Sequence, residues 1–225
     1  MSNSKSVTLS HTEENYLKAI YHLSEHGTKE VNTNAVSEVL QTRPASVSDM
    51  LRKLSAKKMI NYIKYQGVTV TENGKKEALQ VIRKHRLWEV FLVEKLKFNW
   101  DEVHEIAEQL EHIQSKLLIK RLDEFLGFPS YDPHGDPIPN EAGEFTPKPR
   151  ITLSEAEVDS PNVVVGLKET SSPFLQFLDK TGIYIGAKIK ILERIAFDQS
   201  LEITIDENKT LNVSSEVAKN IYVTD

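Results

Sequence analysis

Between residues 129 and 149 this chain places six of its nine prolines (129, 133, 137, 139, 147 and 149), with Gly135 and Gly143 among them. Proline fixes φ, lacks an amide donor and restricts the residue before it, so neither a helix nor a central strand runs through such a stretch. The chain is thus divided before any element is placed. Upstream, apolar residues recur at helical spacing; downstream, they come as short alternating runs. We read 129–149 as an extended, Pro-rich linker.

Composition bounds what lies on either side. At 225 residues, 39% of them hydrophobic and 27% charged, the chain has room for two or three small domains. No apolar run approaches about 18 residues and no signal-peptide pattern opens the chain, so neither membrane insertion nor export is indicated. The absence of cysteine excludes disulfides and thiolate ligands and fits a reducing cytoplasm. The net charge of −5 conceals a division: residues 1–90 hold 14 Lys and Arg against 9 Asp and Glu, the remainder 14 against 24. The basic part is the candidate nucleic-acid face.

That basic part reads as a winged helix-turn-helix. Ser10 and Glu13 have the spacing of a capping box, opening a helix from 13 to about 26 that buries Leu17, Ile20 and Tyr21 and ends at Gly27. Two helical segments follow, 33–40 and 44–57, with Pro44 suited to a first helical position. Val47, Met50, Leu51 and Leu54 form the apolar stripe of the second, and Ser46, Ser48, Asp49, Arg52 and Lys53 its other face. Ile60-Asn-Tyr-Ile-Lys-Tyr and Val68-Thr-Val-Thr alternate around Gln66-Gly67 like the two strands of a wing. Between Thr42 and Lys64 there are six Lys and Arg and one acid, Asp49. We expect DNA contact through Arg43, Ala45, Ser46, Ser48, Asp49, Arg52, Lys53 and Lys64. Arg52, Lys53 and Lys64 are expected on phosphates, and Ser46, Ser48 and Asp49 near base edges.

The next stretch carries chemistry. Gly74 precedes a long helix, 75 to about 95, in which Arg83-Lys84-His85-Arg86-Leu87-Trp88-Glu89 sets His85 one turn from Glu89. After a break at 97–100, residues 101–113 fit a further helix. Val103, Ile106, Ala107, Leu110 and Ile113 share its core arc, while His104, Glu108, Glu111 and His112 share a neighbouring arc about 100° wide. A bland alternative is a solvated acidic face. Two facing helices with inward His and Glu pairs nevertheless build metal sites, and N and O donors alone suit a divalent first-row ion. A zinc-protease motif is excluded, because position 108 is Glu where a second His is needed. In 114–125, Leu117, Leu118, Leu122 and Phe125 exceed what one short helix needs for its own core and predict a dimer surface. Beyond the linker, Val163-Val-Val, Lys188-Ile-Lys-Ile-Leu, Leu201-Glu-Ile-Thr-Ile and Thr210-Leu-Asn-Val are strands, with short helices near 173–179 and 214–219 and a hairpin turn at Asp206-Glu-Asn-Lys. They predict a small SH3-like β-barrel.

The expected architecture is mainly α with a small β part: a winged helix-turn-helix over 1–74, a helical metal-binding and dimerisation domain over 75–128, the linker, and an SH3-like domain over 150–225. In this order the chain resembles a full-length member of the DtxR/MntR family of metal-dependent transcriptional repressors. The likeness is most specific at Glu14-Asn15-Tyr16-Leu17-Lys18, at the 83–89 run, at Val103-His104 through Glu111-His112, and at Asp132-Pro-His-Gly-Asp-Pro-Ile-Pro139. The resemblance implies one metal site of Asn15, Glu108, Glu111 and His112, and a second of His85, Glu89 and His104 with Glu169 from the C-terminal domain. Up to two ions per subunit follow. It also implies a homodimer on a palindromic double-stranded DNA operator, with no membrane and no small organic substrate. The family commonly has Met or Asp where this chain has Asn15, and a Gln where it has Ser172. Iron-responsive relatives carry Cys at the position of Glu108 and manganese-responsive ones a carboxylate, so Mn²⁺ is favoured, with Fe²⁺ as the alternative. Two other functions fit less well. One is a hydrolytic or redox metalloenzyme using the His/Glu cluster; the other is a metal-independent winged-helix scaffold.

Overall fold

The computed structural model describes residues 8–63, 66–145 and 149–224. It divides into two compact units: residues 1–85 with 110–115 and 139–144, and residues 86–109 with 116–138 and 145–225. Among the described residues, no helix is long and apolar enough to cross a membrane.

The first unit begins with the capping box read from the sequence. Ser10 N donates to Glu13 Oε2 at 2.7 Å, and Glu13 N to Ser10 Oγ at 3.3 Å. Helix α1 (His11–Leu23) buries Tyr16, Leu17, Ile20 and Tyr21. It stops short of the expected end near 26. Glu25 and His26 take positive φ, and the Ser24 hydroxyl donates to Tyr21 O and accepts from Gly27 N, which closes the helix early. Helix α2 (Thr33–Val39) is capped by Asn32, and α3 (Pro44–Ala56) starts on its proline. Val36, Val47, Leu51 and Leu54 are wholly buried where these helices meet. The wing is β1 (Ile60–Ile63) paired antiparallel with β2 (Gly67–Val70), and Val31 adds a bridge to Val68.

Helix α4 (Glu72–Glu94) begins before Gly74 rather than after it. Thr71 Oγ1 accepts from Gly74 N, and a Cβ on Gly74 would sit 1.9 Å from Met59 O. This glycine is a close-approach residue inside the first turn, which a propensity scale reads as a helix boundary. Residues 139–144 close the unit: Arg83 Nη1 donates to Pro139 O at 2.7 Å and Gln80 Nε2 to Glu141 O at 2.8 Å.

The second unit holds the end of α4, helices α5 (Val103–Leu110, through Gln109) and α6 (Lys116–Leu126), and an antiparallel six-stranded sheet. Its strands are β3 (Ile151–Thr152), β4 (Pro161–Leu167), β5 (Lys188–Arg194), β6 (Leu201–Ile205), β7 (Lys209–Val213) and β8 (Ile221–Thr224), in the order β3-β8-β4-β5-β6-β7. Bulges fall within β4 at Val164/Gly166 and within β5 at Ile191/Glu193, where they bend the strands. Helix α7 (Ser172–Thr181) lays Leu175 and Leu178 on a core that includes Val164, Ile189, Ile191, Leu201, Ile203, Ile221 and Val223. Helix α8 (Ser215–Lys219) precedes β8. Asp206 and Glu207 take positive φ in the β6–β7 hairpin, as their turn position requires.

The extended course expected for 129–149 is not what forms over 129–138. Asp132 Oδ1 accepts from the amides of His134 and Asp136, Tyr131 bridges Pro137, and Gly135 turns at φ +83°. Leu167 N donates to His134 O, and a Cβ on Gly135 would lie 2.2 Å from Val165 O. Prolines prevent a helix here, but an Asp side chain that takes two amides replaces the missing backbone pairing. Residue 147, the fifth of those prolines, falls outside the described residues.

Candidate metal centre and DNA-binding face

Helix α5 was expected to continue to 113 but ends at Leu110, so Glu111 and His112 lie in the turn beyond it. Leaving the helix buries them in the first unit: Glu111 is 0% and His112 8% exposed. His112 Nδ1 lies 2.6 Å from Glu14 Oε2 on α1, and its ring stacks on His11. A carboxylate only accepts, so Nδ1 is the donor of this pair, and Nε2 is the ring nitrogen turned away from Glu14. That nitrogen faces Glu111 Oε1 at 3.8 Å. An imidazole nitrogen and a carboxylate oxygen facing each other are two ligand atoms that a cation can bridge, and a carboxylate behind the far nitrogen is the usual support of a metal-binding imidazole. Glu14 is itself fixed by Gln114 Nε2 at 2.9 Å and by the Lys84 ammonium at 3.6 Å. Glu111 also meets His85 Nδ1 at 2.7 Å and Lys18 Nζ at 2.6 Å. Burial works against its charge, but the His85 hydrogen bond and the Lys18 charge outweigh it and hold the carboxyl below its ordinary range.

A second cluster lies in the second unit around Glu89 of α4. His104 Nδ1 is 3.4 Å from Glu89 Oε1, and its Nε2 is 3.6 Å from Glu108 Oε1. Glu89, Asp132 and His134 are all buried, and each offers a donor atom within 4.8 Å of the others'. His134 Nε2 donates to the Trp100 carbonyl at 2.9 Å, which turns Nδ1 towards Glu89 Oε2 at 3.8 Å. Burial and the Glu89 and Asp136 carboxylates push Asp132 up to about 7, with Arg86 and His134 offsetting part of this. For His134, burial is outweighed by Glu89 and Asp132, and its pKa rises to about 9. Two buried carboxylates thus share one imidazole, with the Arg86 guanidinium 3.4 Å from Asp132. An all-N/O donor set of this kind fits a divalent first-row cation.

On α3, Arg43, Ala45, Ser46, Asp49, Arg52 and Lys53 are exposed and Ser48 half-buried. Arg52 Nη2 pairs with Asp49 at 2.7 Å, and the Ser48 hydroxyl donates to Pro44 O, so two residues expected near base edges are engaged within their own helix. Lys64 lies outside the described residues. On α6, Leu117 (67%), Leu118 (42%) and Phe125 (64%) are exposed. Leu122, expected beside them, is buried within its own chain at 6% exposure. It projects about 60° from Phe125 around the helix axis, towards the interior.

Three family models match consecutive parts of the chain. They are the iron dependent repressor N-terminal DNA binding domain over 8–68, the iron dependent repressor metal binding and dimerisation domain over 71–140, and the FeoA domain over 151–225. The iron-dependent repressor IdeR of Mycobacterium bovis is 33% identical over 68% of this chain and 70% of its own length. A manganese-dependent transcriptional repressor in complex with manganese superposes with a TM-score of 0.81 at 32% identity, covering 95% of this chain and 99% of that one. The chain belongs to the DtxR family of metal-dependent transcriptional repressors. The manganese regulator SloR matches at a TM-score of 0.71 and 33% identity over 95% of this chain and 98% of its own. Membership in this repressor family sets the enzyme alternative aside.

As a DtxR-family repressor the chain keeps one of the expected groupings and adds contacts to it. His85, Glu89 and His104, expected together, each offer a donor atom within 4.8 Å of the others', and His85 also meets Glu111. Glu108, expected with Glu111 and His112, lies against His104. Asn15 is exposed on α1, and the α1 side chains beside His112 are Glu14 and His11. Glu169 is exposed ahead of α7, where it accepts from Ser171 N at 2.8 Å; that hydrogen bond holds its carboxyl below the ordinary range. Glu14, Lys18, Asp132 and His134 escaped the sequence reading as site residues. The Asp132-Pro-His signal was present, but only the fold brings it to Glu89.

Proposed function

We propose that this repressor is manganese-responsive and controls metal-uptake genes in the cytoplasm, binding a palindromic operator as a metal-loaded homodimer. The observation that carries the reading is the paired face of His112 Nε2 and Glu111 Oε1, backed by Glu14. One ion is assigned to Glu111 and His112, with Asn15 and Glu108 as the further donors the family pattern suggests. A second is assigned to Glu89, His104, Asp132 and His134, with His85 one turn from Glu89 on α4 and Glu169 as an outer candidate. Every donor is a carboxylate, carboxamide or imidazole, and a chain without cysteine offers no thiolate to favour softer ions. When bound, the ion supplies positive charge that ties α1 to the 111–112 turn. DNA contact is assigned to α3 and the residue before it through Arg43, Ala45, Ser46, Arg52 and Lys53, with Lys64 as a further candidate outside the described residues, and dimer contact to Leu117, Leu118 and Phe125 on α6.

A gel shift against the protein's own upstream region, run with Mn²⁺, Fe²⁺, Zn²⁺ or chelator, tests this reading. Retardation with Mn²⁺ at lower metal concentration than with Fe²⁺ supports it. The iron-responsive alternative, favoured by the likeness to IdeR, requires the reverse order. Equal retardation in chelator would remove metal from the function altogether.

A further inference from the structure

Lys18 lies on the third turn of α1. Its ammonium reaches both oxygens of Glu111, 2.6 Å from Oε1 and 2.8 Å from Oε2. The Lys18 side chain is 16% exposed and the Glu111 side chain 0%. Oε1 is also the oxygen that faces Nε2 of His112, at 3.8 Å. The ammonium therefore hydrogen-bonds the same oxygen that a cation between Glu111 and His112 would take. Oε2 is no substitute, since it already accepts from His85 and from Lys18. A buried carboxylate without a partner is strongly disfavoured, and here Lys18 supplies the cation that offsets the charge of Glu111.

We infer that Lys18 is a tethered cation that competes with the metal ion for Glu111, holding the carboxylate while no metal is bound and giving it up when metal arrives. Lys18 then sets the metal concentration at which the repressor responds. It is a positioning residue rather than a ligand. The metal-free site is kept in a charge-neutral arrangement, and metal must displace a salt bridge before it can bind. The inference rests on the assignment of Glu111 and His112 to a metal ion.

The test is Mn²⁺ alone titrated into the full chain, with free ion read by electron paramagnetic resonance. Lys18→Met removes the charge at similar length and should tighten the site by roughly tenfold or more, because a unit charge at hydrogen-bond distance is worth at least about that factor in partly screened surroundings. Lys18→Arg, which keeps the charge, should stay within a few-fold of the unmodified chain. If Lys18→Met does not fold without metal, Lys18→Gln carries the same comparison. A second readout needs no variant: labelling of Lys18 by an amine-reactive ester should speed up when Mn²⁺ is added. Unchanged or weaker binding by Lys18→Met, or labelling that slows with Mn²⁺, overturns the inference. Glu111→Gln separates this failure from failure of the underlying assignment. If that variant binds Mn²⁺ as the unmodified chain does, the site itself is misplaced. If it loses binding while Lys18→Met changes nothing, only the competition is wrong.

Discussion

Glu14 and Asn15 are neighbours on α1, yet about 100° of helical rotation gives them different surroundings. Glu14 is buried against His112, while Asn15 is exposed. If Glu14 orients the imidazole, Glu14→Gln should weaken Mn²⁺ binding by about 10–100-fold, the usual cost of losing such a support, and Asn15→Ala should cost less. Calorimetric titration of the two variants decides it; an equal loss, or a greater one at Asn15, makes the exposed amide the more important group. Glu13, one residue earlier, works on stability instead. Burial opposes its charge, but Lys57 at 2.8 Å and the Ser10 amide outweigh burial and lower its pKa from 4.5. A lowered folded pKa means that the unfolded chain takes up the proton first. The contribution is therefore complete above the unfolded value of 4.5 and is lost as pH falls through the lower folded value. Thermal unfolding followed from pH 6 downwards, a range set about the ordinary carboxylate pKa, should show a shallower acid limb for Glu13→Gln than for the unmodified chain. Parallel limbs would mean that the Glu13–Lys57 pair contributes nothing measurable.

At the scale of elements, α3 and α5 depart from the sequence reading in opposite ways. The bounds of α3 were legible because Pro44 starts it and a clean apolar stripe at Val47, Leu51 and Leu54 faces inward. Its outer face was read as a set of separate donors, but Asp49 and Arg52 pair with each other. An exposed i, i+3 pair of this kind is worth little and yields easily to a phosphate. Arg52→Ala and Lys53→Ala should each weaken binding across operator sequences and reduce the slope of log K against log salt by about one unit. Fluorescence anisotropy over a salt series measures both, and unchanged slopes would move the docking face elsewhere. For α5 the periodicity ran on to 113, yet the helix stops at Leu110. Periodicity registers which residues are apolar. It does not register that Glu111 and His112 gain partners on α1 and α4 by leaving the helix.

For the molecule as a whole, metal can favour operator binding only through a difference in its affinity for two arrangements of the chain, typically ~1–3 kcal/mol of coupling. In the proposed scheme that difference arises where α1 meets the 111–112 turn, and a dimer turns it into a fixed spacing of two α3 helices. In that scheme the dimer is part of the sensor. Phe125→Glu places a charge on the exposed apolar face of α6, away from the buried Leu122. It should weaken self-association by roughly tenfold or more, as expected for an aromatic anchor at an interface, while leaving Mn²⁺ binding per chain unchanged. Sedimentation velocity beside a metal titration checks this. A dimer that survives Phe125→Glu and Leu117→Glu together would exclude this face.

The sequence by itself determined the order of the elements, the cap on α1 and the proline start of α3, the wing, the strands of the C-terminal sheet other than β3 and β8, and the residue types of the candidate metal site. These rest on local physics: rotation per residue, proline stereochemistry, side-chain capping and alternation, all of which act over a few positions. Only the tertiary structure decided which of those residues meet. It put Glu14 rather than Asn15 on His112, gave His85 to Glu111, set Lys18 on both oxygens of that carboxylate, and folded Asp132 and His134 back to Glu89. The reason is that a buried charge must find a partner wherever the fold supplies one. Glu111 finds Lys18 at a separation of 93 residues, and no periodic pattern spans that distance.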